Sequence, residues 1–121
     1  MNRQETGFSA SILGYKGMYP KIDPSAFLCE GVRIIGDVEI GKDCSVWYNS
    51  VIRGDVHYIK IGERTNVQDN CTLHVTNQKF ALNIGSDVSI AHSVSLHGCT
   101  IHDYVLIGIG AIVLDGAEIH S

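Results

Sequence analysis

Residues 34–52 read IIGDVEIGKDCSVWYNSVI, with an aliphatic residue at every sixth position. The same spacing continues along the chain in both directions. The aliphatic positions are Ile22, Leu28, Ile34, Ile40, Val46 and Ile52, then Ile61, Val67 and Leu73, then Ile84, Ile90 and Leu96, then Ile101, Ile107, Val113 and Ile119. No stretch has the 3.6-residue apolar period of a helix, and a repeat this short is typical of a solenoid. The sequence predicts short strands, with three six-residue steps closing one triangular coil.

A second pattern supports this prediction. The fourth residue after the start of each regular step is Ala, Cys, Ser, Thr or Val. These residues are Ala26, Val32, Val38, Cys44, Ser50, Thr65, Cys71, Val88, Val94, Val105, Ala111 and Ala117. Large aliphatic side chains can stack between coils, and a small residue fits where the wall turns. Gly41, Gly62, Gly85 and Gly108 follow an aliphatic position and suit corners where a side chain would crowd or φ is unusual. Because the interior is filled, any active site must lie outside.

Three steps depart from the six-residue spacing. The step from Ile52 to Ile61 is three residues too long, and that from Leu96 to Ile101 is one residue short. The step from Leu73 carries five extra residues within 75–83, which predicts a protruding loop on a functional face. We expect one β-helix domain over 1–121, with 1–14 as an N-terminal segment.

Composition excludes several classes of protein. The chain has 121 residues, 45% of them hydrophobic, and a net charge of −4. It should form one folded domain without a basic surface for nucleic acid or an anionic membrane. Residues 1–5 lead into no apolar run, so we expect no signal peptide, no membrane span and a cytoplasmic location. The four cysteines form no CxxC pair, which predicts small buried thiols and no disulfides or metal ribbon.

Two histidines share one column of the predicted coil. His74 and His97 directly follow Leu73 and Leu96, which lie one coil apart. They should therefore be about 4.8 Å apart, close enough to converge on one ion. His92 belongs to another column, beside Asp69 of the coil below. It should not easily reach that ion within its own chain but could reach the ion of a neighbouring chain, in a ring with three-fold symmetry.

Three neutral imidazoles and an open water position form the ligand set of a hydrolytic or hydrating zinc centre. The metal would lower the pKa of its water to about 7. Imidazole also suits Fe²⁺ and Co²⁺, so the pattern does not identify the ion. The alternative is that the histidines only face solvent. We keep that interpretation for His57, His102 and His120, for which the column count gives no partner.

The ordered motifs resemble those of γ-class carbonic anhydrases and their bacterial homologues. They are Arg53-Gly54-Asp55, Asn66-Val67-Gln68-Asp69, Leu73-His74-Val75, Ala91-His92 and Leu96-His97-Gly98-Cys99. The match runs from about residue 14 to 119. The resemblance implies a left-handed parallel β-helix, a homotrimer with metal sites between subunits, and zinc bound by His74, His92 and His97.

The same resemblance implies roles for five further residues. Arg53 is similar to an arginine that bridges subunits, paired with Asp55 on one face of a strand. A salt bridge at the trimer interface without a catalytic part remains the alternative for this pair. Gln68 and Asp69 resemble residues that line the pocket and hold the metal-bound water, and Asn66 resembles a position flanking the site.

Two departures from the family pattern are visible. Strongly active members carry acidic proton shuttles, but here Val56 follows the arginine motif and loop residues 76–80 contain no acid. Proton transfer should therefore be slower, unless His57 substitutes. The family also continues through further coils and a C-terminal helix, which we expect this chain to lack.

The resulting expectation is a zinc enzyme that hydrates CO2 reversibly to bicarbonate by a metal-bound hydroxide, with Gln68 orienting the water. No organic cofactor is expected. Three alternatives remain open: a hexapeptide-repeat acyltransferase, a thioesterase-like enzyme using the same hydroxide, and a non-catalytic metal-binding homologue.

Overall fold

The computed structural model describes residues 10–121, which form strands and turns and contain no helix. None of these residues therefore belongs to a helix able to cross a membrane. The strands are β1 Ser11–Leu13, β2 Lys21–Ile22, β3 Phe27–Leu28, β4 Arg33–Ile40, β5 Ser45–Val46, β6 Val51–Ile61, β7 Asn66–Val67, β8 Thr72–His74, β9 Leu82–Ile84, β10 Ser89–Ile90, β11 Ser95–His97, β12 Thr100–Ile101, β13 Leu106–Ile107, β14 Ile112–Val113 and β15 Glu118–Ile119.

The strands stack in parallel into three walls. The first wall holds β1, β8, β11, β14 and the first halves of β4 and β6. The second wall holds β2, β9, β12, β15 and the second halves of β4 and β6, and the third holds β3, β5, β7, β10 and β13. We call the turn from the first to the second wall the first corner, that from the second to the third the second corner, and that from the third back to the first the third corner.

The predicted column of aliphatic residues is confirmed. Ile52 is the register partner of Leu73, Leu73 of Leu96, and Leu96 of Val113. The side chains of Ile52, Leu73 and Leu96 are at most 1% exposed. Equivalent residues of the other two walls complete one continuous apolar core. This stacking removes apolar surface from water along the whole prism and is the main source of its stability.

The small residue of each step, which we call the small position, has a second role beyond fitting the corner. Ser50 Oγ donates a hydrogen bond to the Gln68 carbonyl oxygen of the next coil (2.6 Å), and Thr65 Oγ1 donates to that of Gly85 (2.8 Å). Cys44 Sγ and Cys71 Sγ make the same kind of contact, with Gly62 and Ala91. These side chains satisfy carbonyl groups that the buried turn would otherwise leave without a partner.

The cysteine prediction is confirmed for burial and pairing, since all four thiols are free and buried. Burial raises the pKa of each thiol, to about 11 for Cys99.

Unusual φ angles occur one residue before the small position. Seven residues other than glycine have a positive φ there: Asp43, Asn49, Arg64, Asn70, Asp87, Ser93 and Tyr104. The glycines after an aliphatic position serve a different purpose. A Cβ on Gly41 would collide with the Gly62 backbone, and one on Gly62 with the Gly85 backbone. Crowding therefore explains Gly41 and Gly62, whereas a Cβ on Gly108 would meet nothing within 4 Å.

All three irregular steps fall at the first corner. In β6, Gly54 pairs with Gly36 and Ile59 with Val38, so residues 55–58 bulge opposite a single residue of β4. The loop predicted over 75–83 is shorter in the structure, because β9 already begins at Leu82. Residues 75–81 form the loop, and an antiparallel bridge between Thr76 and Phe80 closes it. The short step contains Gly98 at φ 57°. The first corner is therefore the place where successive coils differ in length.

The N-terminal segment is only partly described. Its residues 11–13 form β1, which pairs with residues 33–35 of β4. Residues 1–9, including those on which the signal-peptide prediction depends, lie outside the described residues. The single-domain division over 1–121 stays a prediction.

Candidate metal centre

His74 and His97 are direct neighbours at the first corner. They are register partners in β8 and β11, and their rings meet edge to face with centroids 5.0 Å apart. His74 Nδ1 lies 3.2 Å from His97 Nε2. The predicted stacking of this pair is therefore confirmed.

The outward nitrogen of each ring contacts a carboxylate. His74 Nε2 lies 2.8 Å from Asp55 Oδ1, and His97 Nδ1 lies 2.7 Å from Asp115 Oδ1. Asp55 also accepts a hydrogen bond from Arg53 Nη1 (2.7 Å), and Asp115 accepts one from Thr76 Oγ1 (2.5 Å). An ionised carboxylate can only accept, so each outward nitrogen carries a ring proton, which is the only ring proton when the imidazole is neutral.

The inward nitrogens are then two lone pairs that face each other across 3.2 Å. Such a pair needs a shared cation, either a proton or a metal ion. Two nitrogen ligands at about 2.0–2.1 Å from a tetrahedral zinc would lie about 3.3 Å apart. Carboxylates that hold the opposite nitrogen are the usual outer partners of metal-binding histidines. The donor set therefore fits a metal ion such as Zn²⁺.

Both carboxylates are held in the ionised form. Partial burial raises the pKa of Asp55, but hydrogen bonds from His74 and Arg53 outweigh it and leave the pKa below its ordinary value. Hydrogen bonds from Thr76 and His97 lower the pKa of Asp115. Near neutral pH both groups can therefore orient their histidines.

The other predicted site residues lie on the third wall and at the third corner. Gln68 Nε2 donates to Asn66 Oδ1 (2.8 Å), and Asn66 Nδ2 donates to Ser89 Oγ (2.9 Å). His92 Nδ1 lies 3.9 Å from Asp69 Oδ1, and the His92 side chain is 52% exposed. The predicted neighbourhood of His92 and Asp69 is therefore present.

One chain thus holds the predicted site in two halves. Arg53, Asp55, His74 and His97 meet at the first corner, whereas His92 and its neighbours lie across the first wall. His97 follows His92 by five positions, an extended path of up to about 16 Å. Among residues 10–121, His92 does not join the pair in any group of three ligand atoms within 4.8 Å of one another.

Sequence reasoning missed Asp115. It placed Leu114 above His97, but the short step at Gly98 brings Asp115 there instead, and the Gly116 amide bonds to the Gly98 carbonyl oxygen. A Cβ on Gly98 would lie 2.5 Å from Asp115 Oδ1, so glycine permits this approach. The sequence contained a signal for this shift. Gly116 follows Gly98 by 18 positions, which is one regular coil, and the same count places Asp115 above His97. Loop residues 76–80 contain no acid, but Asp115 supplies one from the next coil, against Thr76.

A second correction concerns the second corner. His102 and His120 were interpreted as having no partner in the column count, which was wrong. Ile101 pairs with Ile119, so the two histidines that follow them stack with centroids 4.7 Å apart. The aliphatic spacing already contained this signal, because Ile101 and Ile119 are three regular steps apart.

Comparisons with known proteins place these features in a family. No family model matches the chain. It is 47% identical over 108 residues to a Geobacillus kaustophilus protein named carbonic anhydrase, covering 89% of this chain and 59% of the relative. It is 43% identical over 107 residues to the Arabidopsis thaliana protein named gamma carbonic anhydrase 1, mitochondrial, covering 84% of this chain and 39% of the relative. The chain therefore spans less than two thirds of the length of these relatives.

A solved structure agrees with the fold. The hexapeptide transferase family protein from Anaplasma phagocytophilum superimposes with a TM-score of 0.79 at 35% identity, over 92% of this chain and 75% of that one. The left-handed parallel β-helix implied by the resemblance is thereby confirmed. Together with the relatives named carbonic anhydrase, this structure shows that the chain belongs to the γ-class carbonic anhydrase-like family of hexapeptide-repeat proteins.

Proposed function

We propose that this protein is a metal-dependent lyase that hydrates CO2 reversibly to bicarbonate, at sites between the subunits of a homotrimer. The observation that carries the proposal is the pair of inward nitrogens of His74 and His97, 3.2 Å apart, with both outward nitrogens on carboxylates. This arrangement prepares two neutral imidazoles to bind a cation. Relatives named carbonic anhydrase support the reaction class.

His74 and His97 would hold the ion from one chain and His92 from the next. When bound, Zn²⁺, or Fe²⁺ or Co²⁺ in its place, supplies a Lewis acid that makes water nucleophilic near neutral pH. Asp55 and Asp115 fix the ring tautomers of His74 and His97, and Arg53 holds Asp55 in place. Asp69 lies beside His92 at the third corner, with Asp69 Oδ1 3.9 Å from His92 Nδ1.

Gln68 would orient the attacking water. Its amide nitrogen is committed to Asn66, and Asn66 is in turn committed to Ser89. These bonds fix the plane of the Gln68 amide and so the direction of its carbonyl oxygen, which can accept a hydrogen bond from water. In the proposed trimer, Gln68 and His92 of one chain lie beside the His74 and His97 pair of a neighbouring chain. Together the two halves complete the site.

The deciding experiment measures CO2 hydration by stopped flow on protein loaded with Zn²⁺ or Co²⁺. We expect hydration above the buffer rate, lost in His97→Ala and retained in Asp43→Asn, which removes an exposed carboxylate at the second corner. Stoichiometric metal without hydration would refute the enzyme proposal and favour a non-catalytic metal-binding homologue.

The second candidate is acyl-group chemistry, favoured by the similarity to a hexapeptide transferase family protein. Thioester hydrolysis would use the same histidines and ion, whereas acyl transfer would not require the complete three-histidine set. Hydrolysis of a model acyl-CoA by the zinc-loaded protein, in the absence of CO2 hydration, would support the thioesterase.

We also propose a cytoplasmic location for this protein. The four free thiols are compatible with that location.

A further inference from the structure

The second corner carries a group of potential metal ligands away from the first-corner histidines. His102 Nε2 lies 2.6 Å from Glu118 Oε2, and His120 Nε2 lies 4.0 Å from the same oxygen. One ligand atom from each of the three residues falls within a 4.8 Å range. It is the one such group of three among residues 10–121.

The backbone explains why these side chains meet. Glu118 and His120 are two residues apart at β15, so they point to the same side of an extended chain. The pairing of Ile101 with Ile119 places His102 directly below His120. In the three coils directly below His102 this column is occupied by Gly41, Gly62 and Gly85, so no side chain of these coils covers His102 from that side.

We propose that His102, Glu118 and His120 form a second site that binds a divalent transition metal of the zinc class, one ion per chain. Two imidazoles and one carboxylate are a known three-ligand set for Zn²⁺, with a remaining position for water. The side chains are 41%, 52% and 72% exposed. The rings of His102 and His120 are stacked and nearly parallel, so each must turn about its χ2 angle before both nitrogens face one ion, and their exposure leaves room for this without moving the core.

This second-corner site is separate from the proposed catalytic site. The catalytic site uses the first and third corners, which flank the first wall, whereas the second corner lies on the opposite side of the prism. Binding here uses no residue from a neighbouring chain. The second-corner site therefore does not depend on the proposed function, and it should bind metal in a monomer as well as in an assembly.

The test starts from the variant His74→Ala/His97→Ala, which lacks the first-corner pair. Calorimetric titration with Zn²⁺ should still find one ion per chain. Adding Glu118→Gln should weaken that binding by more than about tenfold, because even outer partners of metal ligands change affinity by about this factor. His120→Ala should do the same.

The matched control is Glu39→Gln on the same background. Glu39 is an exposed glutamate in the equivalent register position of the second wall, but glycine follows it two residues later instead of histidine. Its Zn²⁺ affinity should equal that of the background. Circular dichroism of the metal-free Glu118→Gln, His120→Ala and Glu39→Gln variants should equal that of the background, since these three side chains are exposed.

Absence of Zn²⁺ binding in the His74→Ala/His97→Ala background, or equal affinity with and without Glu118→Gln, would overturn the proposal. Failure of the catalytic proposal leaves the second-corner ion in place. If the first-corner pair binds an ion without CO2 hydration, His97→Ala lowers the number of bound ions; if the pair binds none, His97→Ala leaves that number unchanged.

Discussion

At the scale of single residues, the two carboxylates beside the histidine pair decide which nitrogen each ring presents. Asp115 accepts from His97 Nδ1 and so leaves His97 Nε2 free to bind a cation. Asp55 does the corresponding work for His74. Neither role depends on the carboxylate touching the ion, which makes the roles separable from metal binding itself.

We predict that Asp115→Asn weakens Zn²⁺ affinity by about 10- to 100-fold, the range typical of outer partners of metal-binding histidines. The amide can still hydrogen-bond to His97 but no longer favours one tautomer as strongly. Competition with a coloured chelator measures the change. Asp43→Asn is the control, and equal affinities for the two variants would contradict the role given to Asp115.

A buried hydroxyl gives the second residue-scale prediction. Thr65 is 1% exposed, donates to the Gly85 carbonyl oxygen and accepts from the Val88 amide (3.2 Å). Thr65→Val keeps the shape but leaves both groups without a partner, so the free energy of unfolding should fall by about 1–3 kcal/mol. Urea denaturation measures it. Thr65→Ser, which keeps the hydroxyl, should lose less, and the reverse order would contradict the argument.

At the scale of the elements, most turns hold one residue in the left-handed region. Tyr104 has φ 58° and is 74% exposed, so its conformation can be tested with little loss of packing. Tyr104→Gly should be more stable than Tyr104→Ala by about 1 kcal/mol, because only alanine keeps the steric cost of positive φ. Thermal unfolding of both variants decides this. Equal stability would mean that the turn relaxes when the side chain changes.

Two left-handed residues at neighbouring coils form an ion pair that should respond to pH. Arg64 Nε and Nη2 donate to the two oxygens of Asp87, at 2.8 and 3.0 Å. The hydrogen bonds from Arg64 hold the pKa of Asp87 below its ordinary value. A lowered folded-state pKa stabilises the protein above the unfolded-state value of about 4, and this contribution disappears as pH falls through the folded-state value.

Asp87→Asn should therefore be less stable than the wild type near neutral pH, with the difference vanishing in strong acid. Denaturation at several pH values measures it, and the size should be small because the pair is exposed. A constant difference from pH 7 to pH 2 would show that the pair does not act through charge.

At the scale of the whole molecule, sequence periodicity predicted the columns because one repeated physical demand, burial of an aliphatic side chain, sets them all. The pairing of His74 with His97 followed directly from the column of Leu73 and Leu96. Asp115 was not predicted because the column count placed Leu114 above His97. The step from Leu96 to Ile101 is one residue short, and it places Asp115 there instead. The hydrogen bonds of Ser50 and Thr65 escaped it because side-chain size alone explained their spacing.

The arrangement of the two half-sites predicts complementation between chains. His92→Ala and His74→Ala should each bind less metal, but chains of the two variants unfolded and refolded together should recover part of it. In mixed trimers, one chain supplies His74 and His97 while its neighbour supplies His92. Bound zinc per chain is the measurement. If mixed trimers form without any recovery, the three histidines act within one chain.

The first corner also has a consequence for how the chain's length can vary. The aliphatic anchors of the first wall, Ile34, Ile52, Leu73, Leu96 and Val113, remain in one column although successive anchors are 18, 21, 23 and 17 positions apart. An insertion within a wall would exchange inward and outward residues, whereas one at this corner leaves every anchor in place. Heritable insertions and deletions can therefore accumulate beside the histidine pair, and the fold allows the surroundings of the metal to be rebuilt without altering the core.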